Sequence, residues 1–261
     1  MTRIKNKFKE LQQKKQKAFG VFLTAGYPSI EFSKDIFKKI IDAKVDFIEI
    51  GVPFSDPMAD GPLIQHSSQI AIQQKTSVED CFKIVKEIRK INHDIPIILM
   101  GYYNPIHYYG NLKFIKNAIS SGVDGLIIVD LPMEEDKEFH DLSFKNNLPL
   151  IRLVTPTTDE LRLKKILKNA RGFVYYVSVT GITGTKSASV KDVKNKIKVI
   201  KKITNLPVIV GFGIKNSIDA EKMSAISDGI VIGSSLVKKI NAVYNKKNGL
   251  KEICEFLNGF K

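Results

Sequence analysis

The stretch Val45-Asp-Phe-Ile-Glu-Ile-Gly-Val-Pro-Phe-Ser-Asp-Pro-Met-Ala-Asp-Gly-Pro62 sets the reading of the whole chain. Its first six residues form a short apolar run of the kind buried on both faces of a parallel sheet. The Gly- and Pro-rich loop that follows carries two carboxylates, Asp56 and Asp60. Strand side chains alternate between faces, so Phe47 and Glu49 share one face while Ile48 and Ile50 share the other. A carboxylate on a buried strand must be paired, protonated or used, because burying an unpaired charge is costly. Glu49 is therefore a candidate functional group, with a structural ion pair as the competing reading.

Outward from this stretch, short apolar runs alternate with amphipathic ones. Candidate strands are 19–24, 46–50, 96–100, 125–129, 148–153, 173–177, 207–210 and 229–232. The segments between them show helical spacing, as in Cys81, Ile84, Val85 and Ile88. Strands alternating with helices predict βαβ units and a parallel sheet. With 261 residues, eight such units fit one α/β domain over residues 1–261, a closed (β/α)8 TIM barrel. An open doubly wound sheet is the alternative. Ile4, Phe8 and Leu11 predict an extra N-terminal helix under the barrel. After the last strand, 235–244 and 250–257 read as two closing helices split by an Asn-Lys-Lys-Asn-Gly turn.

Composition narrows the function classes. Hydrophobic residues make up 43% and charged residues 26%, as in soluble globular proteins. No window is apolar for the roughly 18 residues that a membrane span needs, and the N-terminus lacks an apolar signal core. Cys81 and Cys254 lie far apart and read as free thiols in a cytoplasmic protein. The net charge of +14 raises nucleic acid as a partner. Against it, only five of the 41 basic residues are Arg, the lysines are spread over nearly every helix, and no nucleic-acid motif interrupts them. No nucleic-acid or membrane partner is expected.

In such a barrel the chemistry sits on the loops after the strands, of which 51–62 and 178–190 are the longest. Strand seven ends in Gly211-Phe-Gly213, with Asn216 or Ser217 placed to cap the next helix. Strand eight ends in Gly233-Ser-Ser235, also opening a helix. Paired glycine turns at this place suit a phosphate, because bare N–H groups and a helix dipole favour an anion. Tight turns alone are the plainer alternative. Loop 178–190 reads as a candidate lid. His66, His93, His107 and His140 have no metal-ligand spacing, so no metal site is expected. Asp130 is a site residue or a cap.

Thr24-Ala-Gly-Tyr-Pro28, Glu49 to Pro62, Tyr102-Tyr-Asn-Pro105, Thr180-Gly-Ile-Thr-Gly184 and Gly211-Phe-Gly-Ile214 resemble the tryptophan synthase alpha subunit family. The match runs in register over essentially the whole chain. The resemblance implies a lyase of tryptophan biosynthesis that cleaves indole-3-glycerol phosphate, without a cofactor, to indole and glyceraldehyde 3-phosphate. It places the catalytic carboxylates at Glu49 and Asp60, and phosphate contacts at Gly184, Gly213, Gly233 and Ser234. A one-residue register difference after strand seven leaves Ser235 as the alternative to Ser234. The indole pocket falls on Phe22, Met100, Ile127, Leu153, Tyr175, Thr183 and Phe212. The resemblance also implies docking, through loop 53–60 and the segment around Asn104, on a pyridoxal-phosphate-dependent beta subunit in an alpha2-beta2 heterotetramer.

Residue chemistry is consistent with these roles. Breaking the bond from indole C3 to the side chain requires C3 to be protonated, hence a general acid, and then a base for the glycerol hydroxyl. Glu49 in apolar surroundings would have a raised pKa, while Asp60 on a loop would stay ionised and stabilise the ring N–H. Two alternatives stay open: another phosphate-binding barrel enzyme of aromatic amino-acid biosynthesis, and a barrel that binds a sugar phosphate only to activate a partner.

Overall fold

The structure, a computed structural model, describes residues 2–178, 189–211 and 213–260. Thr2 opens the first helix by accepting from Lys5 N, and α1 (Arg3–Gln13) lies across one end of the sheet with Ile4 and Leu11 buried. The elements then follow as β1 (Ala18–Thr24), α2 (Ile30–Asp42), β2 (Phe47–Gly51), α3 (Pro62–Gln73), α4 (Val78–Ile91) and β3 (Ile97–Gly101). Next come α5 (Tyr103–Tyr109), α6 (Asn111–Ser121), β4 (Gly125–Ile128), α7 (Lys137–Lys145), β5 (Arg152–Val154), α8 (Glu160–Leu167) and β6 (Val174–Val177). The chain closes with α9 (Val190–Ile203), β7 (Val208–Gly211), α10 (Ser217–Ser224), β8 (Gly229–Ile232), α11 (Ser234–Val243) and α12 (Gly249–Asn258).

All eight strands are parallel, in the order β4-β3-β2-β1-β8-β7-β6-β5. A single bridge between Leu126 and Leu150 joins the two ends and makes the sheet a barrel. That seam is its thinnest part, for a local reason. Pro149 has no N–H to give, so only its carbonyl joins β4, accepting from Leu126 N at 2.9 Å. The ladder of β5 forms only from Arg152 onward, later than the apolar run 148–153 suggests. The other strands fall within one residue of their expected ends.

Aromatic rings plug the barrel at its N-terminal end. Phe47 of β2 and Phe173, the residue just before β6, lie 5.6 Å apart, and Phe8 of α1 packs on both at 6.3 and 5.7 Å. Strands β2 and β6 are not neighbours, so these rings meet across the barrel. The face that carries Phe47 is therefore the interior one. Glu49, two residues on, shares it.

Candidate active site

Glu49 is fully buried, at 0% exposure. Neither of its carboxyl oxygens finds a hydrogen-bond partner of good geometry among the described residues. Burial pushes its pKa up to about 8, and the Tyr175 phenol, which shares the interior face of Phe173, draws it only part of the way back. A proton therefore stays on Glu49 at neutral pH. The sequence-based reading of a carboxyl in greasy surroundings has its physical counterpart here.

Asp60 sits on the loop between β2 and α3 and is half-buried. Tyr102, the residue after β3, donates its hydroxyl to Asp60 Oδ2 at 3.1 Å and accepts from Ala59 N at 2.9 Å. Burial lifts the Asp60 pKa to about 6, against the pull of the Tyr102 hydrogen bond. Asp60 is thus ionised at neutral pH, although less readily than an exposed aspartate. The two carboxyls flank one phenol: both Glu49 and Asp60 add to the burial that holds the Tyr175 pKa well above its ordinary value.

A cavity of about 70 Å³ opens at the C-terminal end of the strands, lined by Phe22, Asp60, Ile64, Met100, Tyr175, Gly213, Ile214, Val231, Gly233 and Ser234. Glu49 is not among these residues. It pairs in register with Phe22 and Ile98, one inward position closer to the aromatic plug than the Gly51–Met100 pair. Its carboxyl lies behind Phe22 and Tyr175 instead of in the open. Two glycines make room for those rings. A Cβ on Gly51 would stand 2.5 Å from the Phe22 ring, and one on Gly211 would stand 2.1 Å from the Tyr175 hydroxyl.

Of the expected pocket residues, Phe22, Met100 and Tyr175 line the cavity and Asp60 closes its rim. Ile127 is fully buried beside Met100, and Leu153 pairs with Tyr175, but neither lines the cavity. Thr183, Gly184 and Phe212 lie outside the described residues, as does nearly all of loop 178–190. At the expected phosphate cup, Gly213, Gly233 and Ser234 face the cavity together. Gly233 and Ser234 open the ten-residue helix α11, whose N-terminal dipole end favours an anion there. Ser235 instead turns its hydroxyl to Ile214 O at 3.4 Å.

Of the two helix N-termini expected at this cup, one reaches the cavity. The other, that of α10, starts beyond Gly213 and is capped by Asn216, which accepts from Asp219 N at 2.9 Å. Asp130 is a cap: it accepts from Tyr103 N at 2.8 Å at the start of α5. Asp56 is exposed and bonded to Ser55. No group of His, Cys, Asp and Glu among the described residues could hold a metal ion. Tyr102, which bonds Asp60, entered the sequence reading only within a family motif and not as a candidate site residue. Its place directly after a strand on the loop-bearing end was the available signal.

A model of the family described as tryptophan synthase alpha chain matches residues 8–261. A tryptophan synthase alpha chain of Geotalea daltonii is 44% identical over 247 residues, spanning 95% of this chain and 93% of that protein. One from a Thermoanaerobacter strain is 44% identical over 261 residues, spanning 100% of this chain and 99% of its own length. Among solved structures, tryptophan synthase subunit alpha from Legionella pneumophila superposes with a TM-score of 0.92 at 33% identity, covering 100% of this chain and 97% of that one. Paired carboxyls, the cavity at the barrel mouth and likeness over the full length agree, and the chain belongs to the tryptophan synthase alpha chain family.

Proposed function

We propose that this chain is a carbon–carbon lyase that cleaves indole-3-glycerol phosphate to indole and glyceraldehyde 3-phosphate, with Glu49 as proton donor and Asp60 as its electrostatic partner. The observation that carries the assignment of roles is the separation of the two carboxyls: Glu49 holds its proton up to about pH 8 and Asp60 loses its own above about pH 6. Between those values one is an acid and the other an anion, the division of labour this reaction needs.

In the reaction Glu49 gives its proton to indole C3, and the ring nitrogen takes on positive charge that Asp60 offsets. The bond from C3 to the adjacent carbinol carbon then breaks, and its electrons return to the ring. The hydroxyl on that carbon loses its proton to the Glu49 carboxylate as the aldehyde forms, which restores the acid. For this transfer the Glu49 carboxyl must swing past Phe22 and Tyr175 into the cavity. Phe22, Met100 and Tyr175 hold the indole ring, with Ile127 and Leu153 backing them. Gly213, Gly233 and Ser234 take the phosphate. Thr183, Gly184 and Phe212 join this assignment on family resemblance alone.

Family membership implies a beta-subunit partner. We place it at the barrel mouth in an alpha2-beta2 complex in the cytoplasm. Two observations support that face: Met58 in the loop after β2 is 68% exposed, and Tyr108 on α5 is 93% exposed. No described helix is long and apolar enough to cross a membrane.

The test is indole release from indole-3-glycerol phosphate by the isolated chain, with and without a beta subunit. Glu49→Gln and Asp60→Asn are each expected to lower turnover by about 10²-fold or more with substrate binding largely kept. Near-normal turnover in both variants would remove the assignment.

A further inference from the structure

At the end of the barrel away from the cavity, α1 lies between two grooves of nearly equal size, about 1040 and about 1020 Å³. Their charges differ. One groove carries Glu10, Asp46, Asp94 and Glu221 against Lys7, Lys14, Lys17 and Lys44, and so is balanced. The other carries Lys5, Lys9, Lys15, Lys17, Arg171 and Lys201 against a single carboxylate, Asp228. Asp228 is already engaged, by Lys201 and by Val208 N.

The asymmetry starts within α1. On one flank Glu10 lies between Lys7 at 3.0 Å and Lys14 at 2.7 Å, and the Lys14 and Lys7 ammonium groups lower its pKa to about 2. On the other flank Lys5 and Lys9 are one helical turn apart, a like-charge spacing that works against the helix. Neither they nor Lys15 has a carboxylate partner among the described residues. A general excess of lysine would leave both flanks alike.

From this contrast we infer that the unbalanced groove is a binding site for a phosphate-bearing organic ligand of nucleotide size. Its volume of about 1040 Å³ is just above the roughly 300–1,000 Å³ typical of small-molecule sites, so a ligand of nucleotide size fits within it. Phe8, Pro149 and Leu206 on its walls offer apolar surface to a flat ring, and the lysines of α1 offer point charges to phosphate. The site is on the opposite end of the barrel from Asp60 and Ser234, so its occupancy and the lyase reaction are separable.

Calorimetric titration of the full chain at low ionic strength tests it, with ADP, adenosine and pyrophosphate as probes. ADP is expected to bind, adenosine not to bind, and pyrophosphate to bind more weakly than ADP. Lys5→Gln/Lys9→Gln is expected to weaken ADP binding by about tenfold or more, whereas Lys7→Gln/Lys14→Gln, which removes the same charge from the other flank, changes it by less than about threefold. Indole release should be unchanged in both variants. The absence of ADP binding, or equal weakening by the two pairs, would overturn the site. Pyrophosphate binding as tightly as ADP would overturn the apolar contribution and with it the ligand class.

Discussion

The two ends of this barrel each bury a carboxyl group, and they treat it in opposite ways. At the N-terminal end Asp124 is 8% exposed and fully engaged. Arg3 reaches its Oδ1 at 3.0 Å, Arg89 reaches its Oδ2 at 2.6 Å, and Ile97 N donates to Oδ2 at 2.9 Å. Glu49, towards the C-terminal end, is more deeply buried and meets no cation among the described residues. Asp124 ties α1, α4 and β3 together as an anion. Glu49 is kept neutral by its surroundings and retains a proton that it can give away. Burial alone does not distinguish a structural carboxyl from a chemical one; what surrounds the oxygens does.

The largest expected effect breaks the structural end. Arg89→Ala leaves Asp124 buried with Arg3 as its remaining ion-pair partner and also strips hydrogen bonds from the Ile95 and Gly122 carbonyls. Removing one partner of a buried pair costs about 3–5 kcal/mol, which urea unfolding would read, while indole release per folded molecule stays unchanged. A loss under about 1 kcal/mol would show that Arg3 alone suffices.

At the chemical end the stability effect has the opposite sign and depends on pH. The folded chain holds the Glu49 proton to about pH 8, whereas an unfolded glutamate releases it near its ordinary value of 4.5. Folding therefore takes up a proton between those values. The stabilisation is complete below about pH 4.5 and is lost as pH rises through 8. Glu49→Gln should remove this dependence, gaining on the order of 3 kcal/mol relative to the parent chain on going from pH 5 to pH 8. Parallel stability curves for the two proteins would mean that Glu49 is not neutral in the folded state.

The same separation predicts a bell-shaped profile of kcat/KM, rising through about pH 6 as Asp60 ionises and falling through about pH 8 as Glu49 loses its proton. A flat profile across that range would contradict the assigned roles. The smallest effect belongs to Tyr102→Phe. Losing the hydroxyl that bonds Asp60 should move the acidic limb to higher pH and lower turnover by about tenfold or less. A turnover loss with no movement of that limb would make Tyr102 a packing residue only.

Much of this molecule is legible in its amino-acid sequence. Apolar runs of strand length, the spacing between them and the N-terminal Ile4, Phe8 and Leu11 stripe are local signals, and each became the expected element. β5 was the exception: its ladder with β6 begins only at the Arg152–Val174 pair, because Gly172, at φ +82°, has not yet entered a strand conformation. The same limit applied to the site. Glu49 and Asp60 stood out as carboxyls near a buried strand, but the bond from Tyr102 to Asp60 joins residues 42 positions apart. The withdrawal of Ile127 and Leu153 from the cavity wall, and the capping role of Asp130, also depend on partners remote in sequence.

Periodicity, turn chemistry and the placement of carboxyls at strand ends were written in the chain, because they act over a few residues. Which carboxyl meets a guanidinium and which lies buried beside Phe22, Ile98 and the Tyr175 phenol was decided by tertiary packing. Closure brings β2 opposite β6 and places α1 beneath them. An ionisable group takes its pKa from every neighbour within several ångströms, and in a barrel most of those neighbours arrive from other strands.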